Sequence, residues 1–228
     1  MAFNYSPKII TDGLVFAVDA ANKKSYPGSG TTWSDLAGSN DGTLTNGPTY
    51  DSGNGGSIVL DGSNDYIDTS FNATSYFPLT ICAWVNIDDT SGTQIIVDQS
   101  TGTVGLGFRT NSAAIDSFWR NGGTLNFKPI ISSYSADSWI YVCVVYDTNS
   151  MVGYMNGAVQ NSYGSADISL TEANRGIDNT NNMDIGKVND GTQNYIDAKI
   201  AQVKIYNKAL SSTEVTQNYN ALKSRFGL

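Results

Sequence analysis

The stretch SIVLDGSNDYIDT holds the densest group of side chains that could bind a metal ion or carry protons. Three aspartates and one asparagine fall within eight residues there. Asp61, Ser63 and Asp65 have the spacing of the first three ligands of an EF-hand calcium loop. Tyr66 replaces the glycine that such a loop needs next, and Asn72 replaces its final bidentate acid. We therefore expect a turn between two strands, closed by its own side chains, with calcium ligation as the alternative.

The sequence lacks the residues on which most hydrolytic enzymes rely. It contains no histidine, which removes Ser-His-Asp and Cys-His nucleophile systems and the usual zinc ligand. Only two of its 21 acidic residues are glutamates, Glu172 in LTEANRG and Glu214 in STEV. Neither lies in a strand pattern that would set two carboxylates about a glycosidic bond. We expect no enzymatic activity, and a glycoside hydrolase is the least favoured function.

Aromatic side chains beside polar ones form a second kind of candidate site. In IDSFWRNGG, Trp119, Arg120 and Asn121 precede a Gly-Gly turn. An indole plane beside a guanidinium and an amide is suited to stacking on a sugar ring and bonding its hydroxyls. For Trp119 the alternative is a core or intersubunit position. Tyr134 and Tyr195 complete the candidate glycan-binding set, and the asparagine-rich stretch GIDNTNNMD either adds amide contacts or forms a turn.

The two cysteines, Cys82 and Cys143, each lie within an apolar strand pattern, LTICAWVNI and SWIYVCVVYD. The N-terminal stretch MAFNYSPKIITDG lacks a basic region followed by an apolar one, so we expect no secretory signal and synthesis in a cytoplasm. In that compartment we expect two reduced core thiols, with a cross-strand disulfide as the alternative.

Charge and hydropathy argue against two classes of partner. The net charge is −8, and the 13 basic residues are scattered along the chain. A nucleic-acid ligand needs a concentrated positive surface, so we expect none. No apolar run approaches the about 20 residues that span a bilayer, so we expect no membrane segment.

Short apolar segments separated by Gly, Asn, Asp and Ser clusters predict strands throughout the chain. Asn156 and Gly157 in YMNGAV predict a type I′ two-residue hairpin. The stretch ALSSTEVTQNYNALKSRFG predicts a helix, with a Ser211-x-x-Glu214 capping box at its start and Gly227 at its end. The fold class is all-β, a two-sheet antiparallel jelly-roll sandwich with a short C-terminal helix. The predicted strands cover 14–18, 57–61, 79–87, 93–98, 104–109, 139–147, 151–156, 158–162, 183–188 and 198–206.

Several segments, in order, resemble the laminin-G-like branch of the concanavalin-A-like lectin/glucanase superfamily. They are DGLVFAVDAAN, GSIVLDGSNDYIDT, LTICAWVNID, SWIYVCVVYDTNSMVGYMNG, NMDIGKV and AKIAQVKIYNKALSSTEVTQNYNALKSRFG. The resemblance covers residues 13–228 and implies one domain of two antiparallel sheets, preceded by an N-terminal arm, residues 1–12. Glucanases of this superfamily use a Glu-x-Asp-x-x-Glu strand, which this sequence does not contain.

A narrower resemblance is to laminin-G-like modules of tailed-bacteriophage structural proteins. It rests on NYSPKIITDGL, NKKSYPGSGTTWSDL, GTLTNGP and QNYNALKSRFG. It implies a non-enzymatic virion protein, either a capsid decoration or a tail-fibre-associated module, at the virion surface after synthesis in the host cytoplasm. The implied partners are other virion proteins, further copies of the chain in a homo-oligomer, and host-surface glycans. A carbohydrate-binding lectin module outside a virion is the alternative function.

Relatives of this fold often hold a structural calcium ion between an aspartate after the first strand and oxygen ligands near the final strand. Asp19 matches the first of these positions. Ala201 and Gln202 stand where the final strand commonly carries acids, which removes charge that a hard dication needs. Asp197 is a weak substitute ligand. The resemblance therefore implies no tight calcium site and no other cofactor.

Overall fold

Two antiparallel β-sheets pack face to face, and one α-helix lies against the outside of one of them. The computed structural model of the protein describes residues 7–73, 76–101, 104–121, 123–148, 150–164, 181–189, 191 and 193–228, with the backbone alone at Asn121. No helix in these ranges is long and apolar enough to cross a membrane.

Sheet I contains eight strands. Their spatial order is β14 (Ala158–Tyr163), β13 (Ser150–Met155), β12 (Trp139–Asp147), β7 (Leu79–Ile87), β16 (Asp197–Tyr206), β5 (Ser57–Asp61) and β4 (Thr49–Asp51), while β1 (Leu14–Asp19) pairs with β16 outside this path. The central strands β7 and β12 are apolar on both faces, because one face meets the other sheet and the opposite face is covered by the C-terminal helix.

Sheet II also contains eight strands. Their order is β11 (Thr124–Ile131), β10 (Ala114–Asn121), β9 (Gly105–Asn111), β8 (Ile95–Ser100), β15 (Asp184–Ile185), β6 (Tyr66–Thr69), β3 (Gly42–Thr45) and β2 (Thr32–Trp33). All neighbouring strands in it are antiparallel, so directly opposed residues point to the same face.

The main core lies between the two sheets. One row of directly opposed residues in sheet II supplies a large part of it: Leu44, Ile67, Ile185, Val97 and Phe108. A buried hydrogen bond joins the sheets within this core, since Ser117 Oγ lies 2.8 Å from Tyr146 Oη. Because side chains alternate along a strand, the neighbouring row of sheet II must face away from the core.

A second apolar cluster covers the outer face of sheet I. Trp84 of β7 stacks on Phe226 with 4.1 Å between ring centroids and on Tyr219 with 5.8 Å. Tyr219 belongs to α1 (Ser212–Leu222), whose Val215 is fully buried in the same cluster. The apolar face of a short helix is thus fixed by packing on the sheet, as an isolated helix of this length would be marginal in water.

The predicted start of the helix is confirmed, whereas the α-helix ends at Leu222, before the predicted end at Gly227. Ser211 Oγ accepts a hydrogen bond from the Glu214 backbone N–H, and Glu214 Oε2 accepts one from the Ser211 backbone N–H at 2.8 Å, which completes the capping box. A 3₁₀ turn, Lys223–Phe226, follows α1 and ends at Gly227, whose φ of 75° is left-handed. The described part of the N-terminal arm packs on this helix, because Ile10 N donates to Asn218 Oδ1 at 2.8 Å.

Several local predictions are also confirmed. The strands over 57–61, 79–87 and 139–147 have the predicted bounds. Asn156 and Gly157 connect β13 and β14 with φ of 52° and 78°, as a type I′ turn requires. Cys82 and Cys143 lie directly opposite each other in β7 and β12, and both are buried, unbridged thiols.

The aspartate turn is confirmed in its local form and joins strands that do not pair. Asp61 Oδ1 accepts from Ser63 N at 2.9 Å and from Asn64 N at 3.3 Å, so the turn is closed by its own side chain. It leads from β5 in sheet I to β6 in sheet II, and is therefore a crossing between the two sheets rather than a hairpin.

Other strand predictions need correction. The strand predicted over 183–188 is reduced to the two residues of β15, because Gly186 turns the chain with a φ of 96°. The sequence did not predict β2, β3, β4, β10 or β11. The first three are short, and the last two carry polar residues that interrupt an apolar pattern.

Candidate functional site

Trp119 does not form the expected surface platform. It lies in β10 directly opposite Leu106, points between the sheets and is 4% exposed. A ring in this position belongs to the core and has no face to offer a sugar. The stacking role expected for Trp119 is therefore wrong, and its alternative, a core position, is what the structure contains.

The remaining candidate residues do not meet at one place. Tyr134 is buried and donates from its hydroxyl to Ser112 O at 3.2 Å, and burial raises the pKa of this phenol to about 12. Arg120 lies in β10 opposite Gly105, on the face away from the core. The side chain of Asn121 lies outside the described residues. Tyr195 is half-buried, and its ring centroid lies 6.4 Å from that of Tyr66.

The outer face of sheet II carries one straight row of directly opposed residues. The row neighbours the inward-facing row that builds the core, so its side chains point outward. It crosses all eight strands of the sheet, from β2 to β11: Thr32, Thr43, Asp68, Asp184, Asp98, Gly107, Phe118 and Phe127. The row is polar at the β2 end, acidic in the middle and aromatic at the β11 end.

A polar pocket of about 320 Å³ opens over the middle of this row. It is lined by Tyr66, Asp68, Asn181, Asn182, Asp184, Lys187 and Asn189. Strands β6 and β15 supply the aspartates, and the chain on either side of β15 supplies the amides and the lysine. The pocket therefore brings Tyr66, whose ring neighbours that of Tyr195, together with Asn181 and Asn182 of the asparagine-rich stretch. Residues 176–180 of that stretch lie outside the described residues.

An ion pair forms the floor of the pocket. Lys187 Nζ lies 2.9 Å from Asp184 Oδ2 and 4.6 Å from the centroid of the Tyr66 ring. Asp184 is 4% exposed, and its burial raises the pKa of this carboxyl to about 6 although Lys187 acts in the opposite direction. The adjacent Asp68 is exposed to solvent. The pocket thus presents one carboxylate that is held by a lysine and one that faces the solvent.

The amide groups at the pocket edge are held in place by backbone contacts. Asn181 Nδ2 donates to Ser100 O at 3.0 Å, and Gln99 Nε2 donates to Asn181 O at 3.0 Å. Asn189 N donates to Asp98 Oδ2 at 2.7 Å, which fixes the chain after β15 against β8. The pocket thereby holds three kinds of hydrogen-bonding group: carboxylates that accept hydrogen bonds, an ammonium that donates them and amides that do both.

Asp19, the aspartate that matches the calcium position of the fold's relatives, has other partners in this structure. Arg225 Nη1 lies 2.9 Å from Asp19 Oδ1, and Gln202 Nε2 lies 2.6 Å from Asp19 Oδ2. Asp197 lies elsewhere, near Asp61, and burial together with neighbouring carboxylates raises its pKa. Across the described ranges, no three carboxylate or thiol side chains are arranged to hold a metal ion. The arginine is the residue that sequence reasoning missed, and its 206-residue separation from Asp19 gave no local signal.

Comparison with solved structures supports the sandwich fold. Trypanosoma rangeli sialidase in complex with the inhibitor DANA is 15% identical, with a TM-score of 0.69 over 95% of this chain and 35% of that chain. Domain 4 of a GH43 extracellular arabinanase from Geobacillus stearothermophilus, in complex with arabinotriose, is 16% identical, with a TM-score of 0.69 over 90% of this chain and 98% of that chain. The receptor-binding domain of botulinum neurotoxin C/D mosaic serotype is 15% identical, with a TM-score of 0.69 over 92% of this chain and 51% of that chain.

The sequence itself is more informative about the family. The chain spans about a third of the length of the sialidase, so the likeness concerns only part of that protein. Among curated proteins, no sequence matches this one. Residues 61–216 match the sequence model of the concanavalin A-like lectin/glucanases superfamily, of laminin G type. With its lectin-like sandwich of two antiparallel sheets, the chain belongs to that superfamily.

Proposed function

We propose that this protein is a non-enzymatic carbohydrate-binding module whose ligand lies in the polar pocket on the outer face of sheet II. The observation that carries the proposal is the set of groups in the pocket: two carboxylates, three amides, an ammonium and a phenol ring. Sugar hydroxyls both donate and accept hydrogen bonds, so a site of mixed donors and acceptors suits them. The exposed Asp68 and Asn182 are the groups that a sugar reaches first.

The ligands of structural neighbours support carbohydrate as the ligand class. The arabinanase domain was solved with arabinotriose, and the sialidase with the inhibitor DANA. Those ligands belong to those proteins. For this chain, the support from the fold is its membership of a lectin and glucanase superfamily.

The test is a glycan array with the wild-type protein, followed by calorimetric titration of the best-bound glycan. Asp68→Asn keeps the shape of the pocket and replaces its solvent-facing carboxylate by an amide. Hydrogen bonds to charged groups contribute about 1.5–3 kcal/mol, so we expect affinity to fall about 10- to 100-fold. Asp137→Asn is the matched control, since Asp137 is an exposed aspartate in the loop before β12. Binding to no glycan, or equal affinity of Asp68→Asn and wild type, contradicts the proposal.

Absence of catalysis is part of the proposal, although two carboxylates lie opposite each other in the pocket. Asp68 and Asp184 are directly opposed in β6 and β15, and a raised pKa at one of two acids is a feature of glycosidases. Asp184, however, is buried and bonded to Lys187, which keeps it from a glycosidic oxygen in the pocket. We expect no release of reducing sugar from any glycan that binds. Release that Asp184→Asn abolishes would identify an aspartate-based hydrolase.

We further propose that the module acts at the surface of a bacteriophage virion. The support is the sequence resemblance to phage structural modules in NYSPKIITDGL, NKKSYPGSGTTWSDL, GTLTNGP and QNYNALKSRFG. In this proposal the partners are other virion proteins, as a capsid decoration or a tail-fibre-associated module. The alternative, a lectin module outside a virion, has the same pocket and a different location.

Immunogold labelling of particles tests the location directly. Antibody raised against the purified protein is expected to label intact virions of a phage that encodes it, on the capsid or on the tail. Labelling of host cells or of the medium, with unlabelled particles, would favour the alternative and leave carbohydrate binding untouched.

A further inference from the structure

The aromatic end of the outer row contains an exposed ring that the pocket does not use. Phe127 of β11 is 50% exposed, and it is the one aromatic residue among the exposed large hydrophobic side chains of the described ranges. It lies directly opposite Phe118 of β10, which is buried beneath its neighbours. Leu125, two residues earlier on the same face of β11, is also exposed. Exposure of an apolar ring to water is energetically unfavourable, and a partner that bound over the ring would remove this exposure.

An arginine lies against this ring and keeps donor capacity. The Arg109 guanidinium carbon is 5.1 Å from the centroid of Phe127 and 5.9 Å from that of Phe118. Its one ion-pair partner in the described chain is Asp116, 4.0 Å from Nη2, and Asp116 also accepts from Asn111 Nδ2 at 2.9 Å. Arg109 Nε is buried and has no hydrogen-bond partner among the described residues. The side chain is 16% exposed, so part of it reaches the surface beside the ring.

The ring and the pocket lie on the same face of sheet II. Phe127, Phe118, Gly107, Asp98 and Asp184 are successive members of the outer row. Four strand spacings of about 4.8 Å separate Phe127 from Asp184, about 19 Å in all. Between them the ring of Phe118 covers Gly107, since a Cβ there would lie 2.7 Å from Phe118 Cζ. The row is straight across these strands, and an extended ligand that reaches both ends would lie along it.

We propose that Phe127 and Arg109 form a second sugar-binding subsite, which takes a distal ring of the same oligosaccharide that the pocket holds. The apolar C–H face of that ring stacks on Phe127, and one of its hydroxyl oxygens accepts a hydrogen bond from Arg109. This inference rests on the proposed function, since it assigns the ligand as an oligosaccharide rather than a single sugar.

A sugar fits this surface better than a protein partner does. The apolar patch consists of one ring and Leu125, far less than the about 800 Å² per partner that a stable protein interface buries. A ring with a guanidinium beside it matches the two-sided character of a sugar, which has an apolar face and polar edges. The row also leads from this ring to the polar pocket and not to another apolar surface.

Titration of saccharide ladders tests the subsite. The probes are gluco-, xylo-, galacto- and arabino-oligosaccharides from monosaccharide to hexasaccharide, measured by calorimetry. We expect Phe127→Ala to weaken hexasaccharide binding about 5- to 100-fold, the range seen when alanine removes an aromatic ring that stacks on a base. Monosaccharide binding in the pocket is expected to stay unchanged, and Phe127→Trp is expected to retain the affinity of wild type for the hexasaccharide.

The control is Val159→Ala, which removes an apolar side chain that is 51% exposed on β14, at the edge of the other sheet. It is expected to bind every probe like wild type. Equal hexasaccharide affinity for Phe127→Ala and wild type, with binding lost in Asp68→Asn, overturns the subsite and leaves the proposed function standing. A wild-type dimer in sedimentation velocity that Phe127→Ala dissociates would assign the ring to a second copy instead. Absence of binding to every ladder and to the array overturns both proposals.

Discussion

Arg225 Nη1 donates a hydrogen bond to Asp19 Oδ1 at 2.9 Å and so joins the C-terminal turn to the end of the first strand. The same guanidinium donates from Nη2 to Gly56 O at 2.6 Å, and Gln202 Nε2 donates to the other Asp19 oxygen at 2.6 Å. Both side chains of the ion pair are largely buried. One arginine thus holds three separate segments of the chain together.

Arg225→Ala is expected to destabilise the fold. A largely buried aspartate would lose its ion-pair partner, and backbone oxygens would lose donors, at a cost of about 2–3 kcal/mol. For a domain of this size the melting temperature should fall by roughly 5–10 °C. Differential scanning calorimetry measures the change, with exposed Lys24→Ala as the control. A variant that melts with wild type would show that the ion pair contributes nothing.

Calcium is expected to have little effect on stability. Both Asp19 carboxylate oxygens already accept hydrogen bonds, one of them from a cation. A calcium site saturated 100-fold above its Kd would add about 2.7 kcal/mol, or roughly 5–10 °C in Tm. We expect a shift below about 2 °C between millimolar calcium and excess chelator. A shift in the larger range that Asp19→Asn abolishes would establish a calcium site.

Gly157→Val is expected to destabilise the protein through the β13–β14 turn. The φ of 78° costs an L-residue about 1–2 kcal/mol, and a β-branched one more. A Cβ at this position would also lie 3.0 Å from Tyr219 Cδ1, so the packing of α1 would be disturbed. Urea denaturation measures the loss. Gly164→Val is the control, because nothing lies within 4 Å of a Cβ built there, and an equal loss in both variants would exclude the turn as the cause.

The stability of the fold should carry a pH dependence from Asp184. Its folded-state pKa is raised from 3.8 to about 6 by burial, so the folded protein binds this proton more tightly than the unfolded chain does. The contribution therefore favours folding below pH 3.8 and is lost as the pH rises from 3.8 to about 6, by about 2–3 kcal/mol in total.

The measurement is the free energy of unfolding in urea across this pH range. The difference between wild type and Asp184→Asn should fall over it, because the variant has no proton to lose. The ion pair with Lys187 forms only as Asp184 ionises and is already one of the causes that set its pKa, so its loss in the variant does not change the sign of the slope. Asp61→Asn is the control, because hydrogen bonds from Ser63 lower the pKa of Asp61 and give a slope of opposite sign. Parallel curves for wild type and Asp184→Asn would contradict the assignment.

The parts of the fold that the sequence predicted are those with a local signal. Strands β7 and β12 are continuous apolar runs, and their bounds were predicted correctly. The Asn156-Gly157 turn and the Ser211–Glu214 capping box were also predicted, because each is decided within a few residues of backbone. Strand pairing brings in residues that are distant in sequence, and no such local rule decides it.

Trp119 and Phe127 show why the candidate site could not be predicted in the same way. They lie on neighbouring strands, β10 and β11, yet one points into the core and the other into solvent. A shift of one residue in register exchanges the two faces of a strand, so residue type alone does not tell which aromatic is exposed. The register with β9 places Trp119 opposite Leu106 in the core. The polar pocket depends likewise on β6 and β15, which are 115 or more positions apart in the chain and pair through two residues only.

The docking of the N-terminal segment on α1 has a consequence for handling the molecule. Gln217 Nε2 donates to Lys8 O at 2.8 Å, so residues near both termini lie together on the outside of sheet I. The outer face of sheet II lies on the opposite side of the sandwich. A biotin tag or a carrier protein fused to the exposed Leu228 would be attached on the side of the molecule that faces away from this surface. Sensor chips and display particles made in this way would present Asp68 and Phe127 to the solution in one shared orientation.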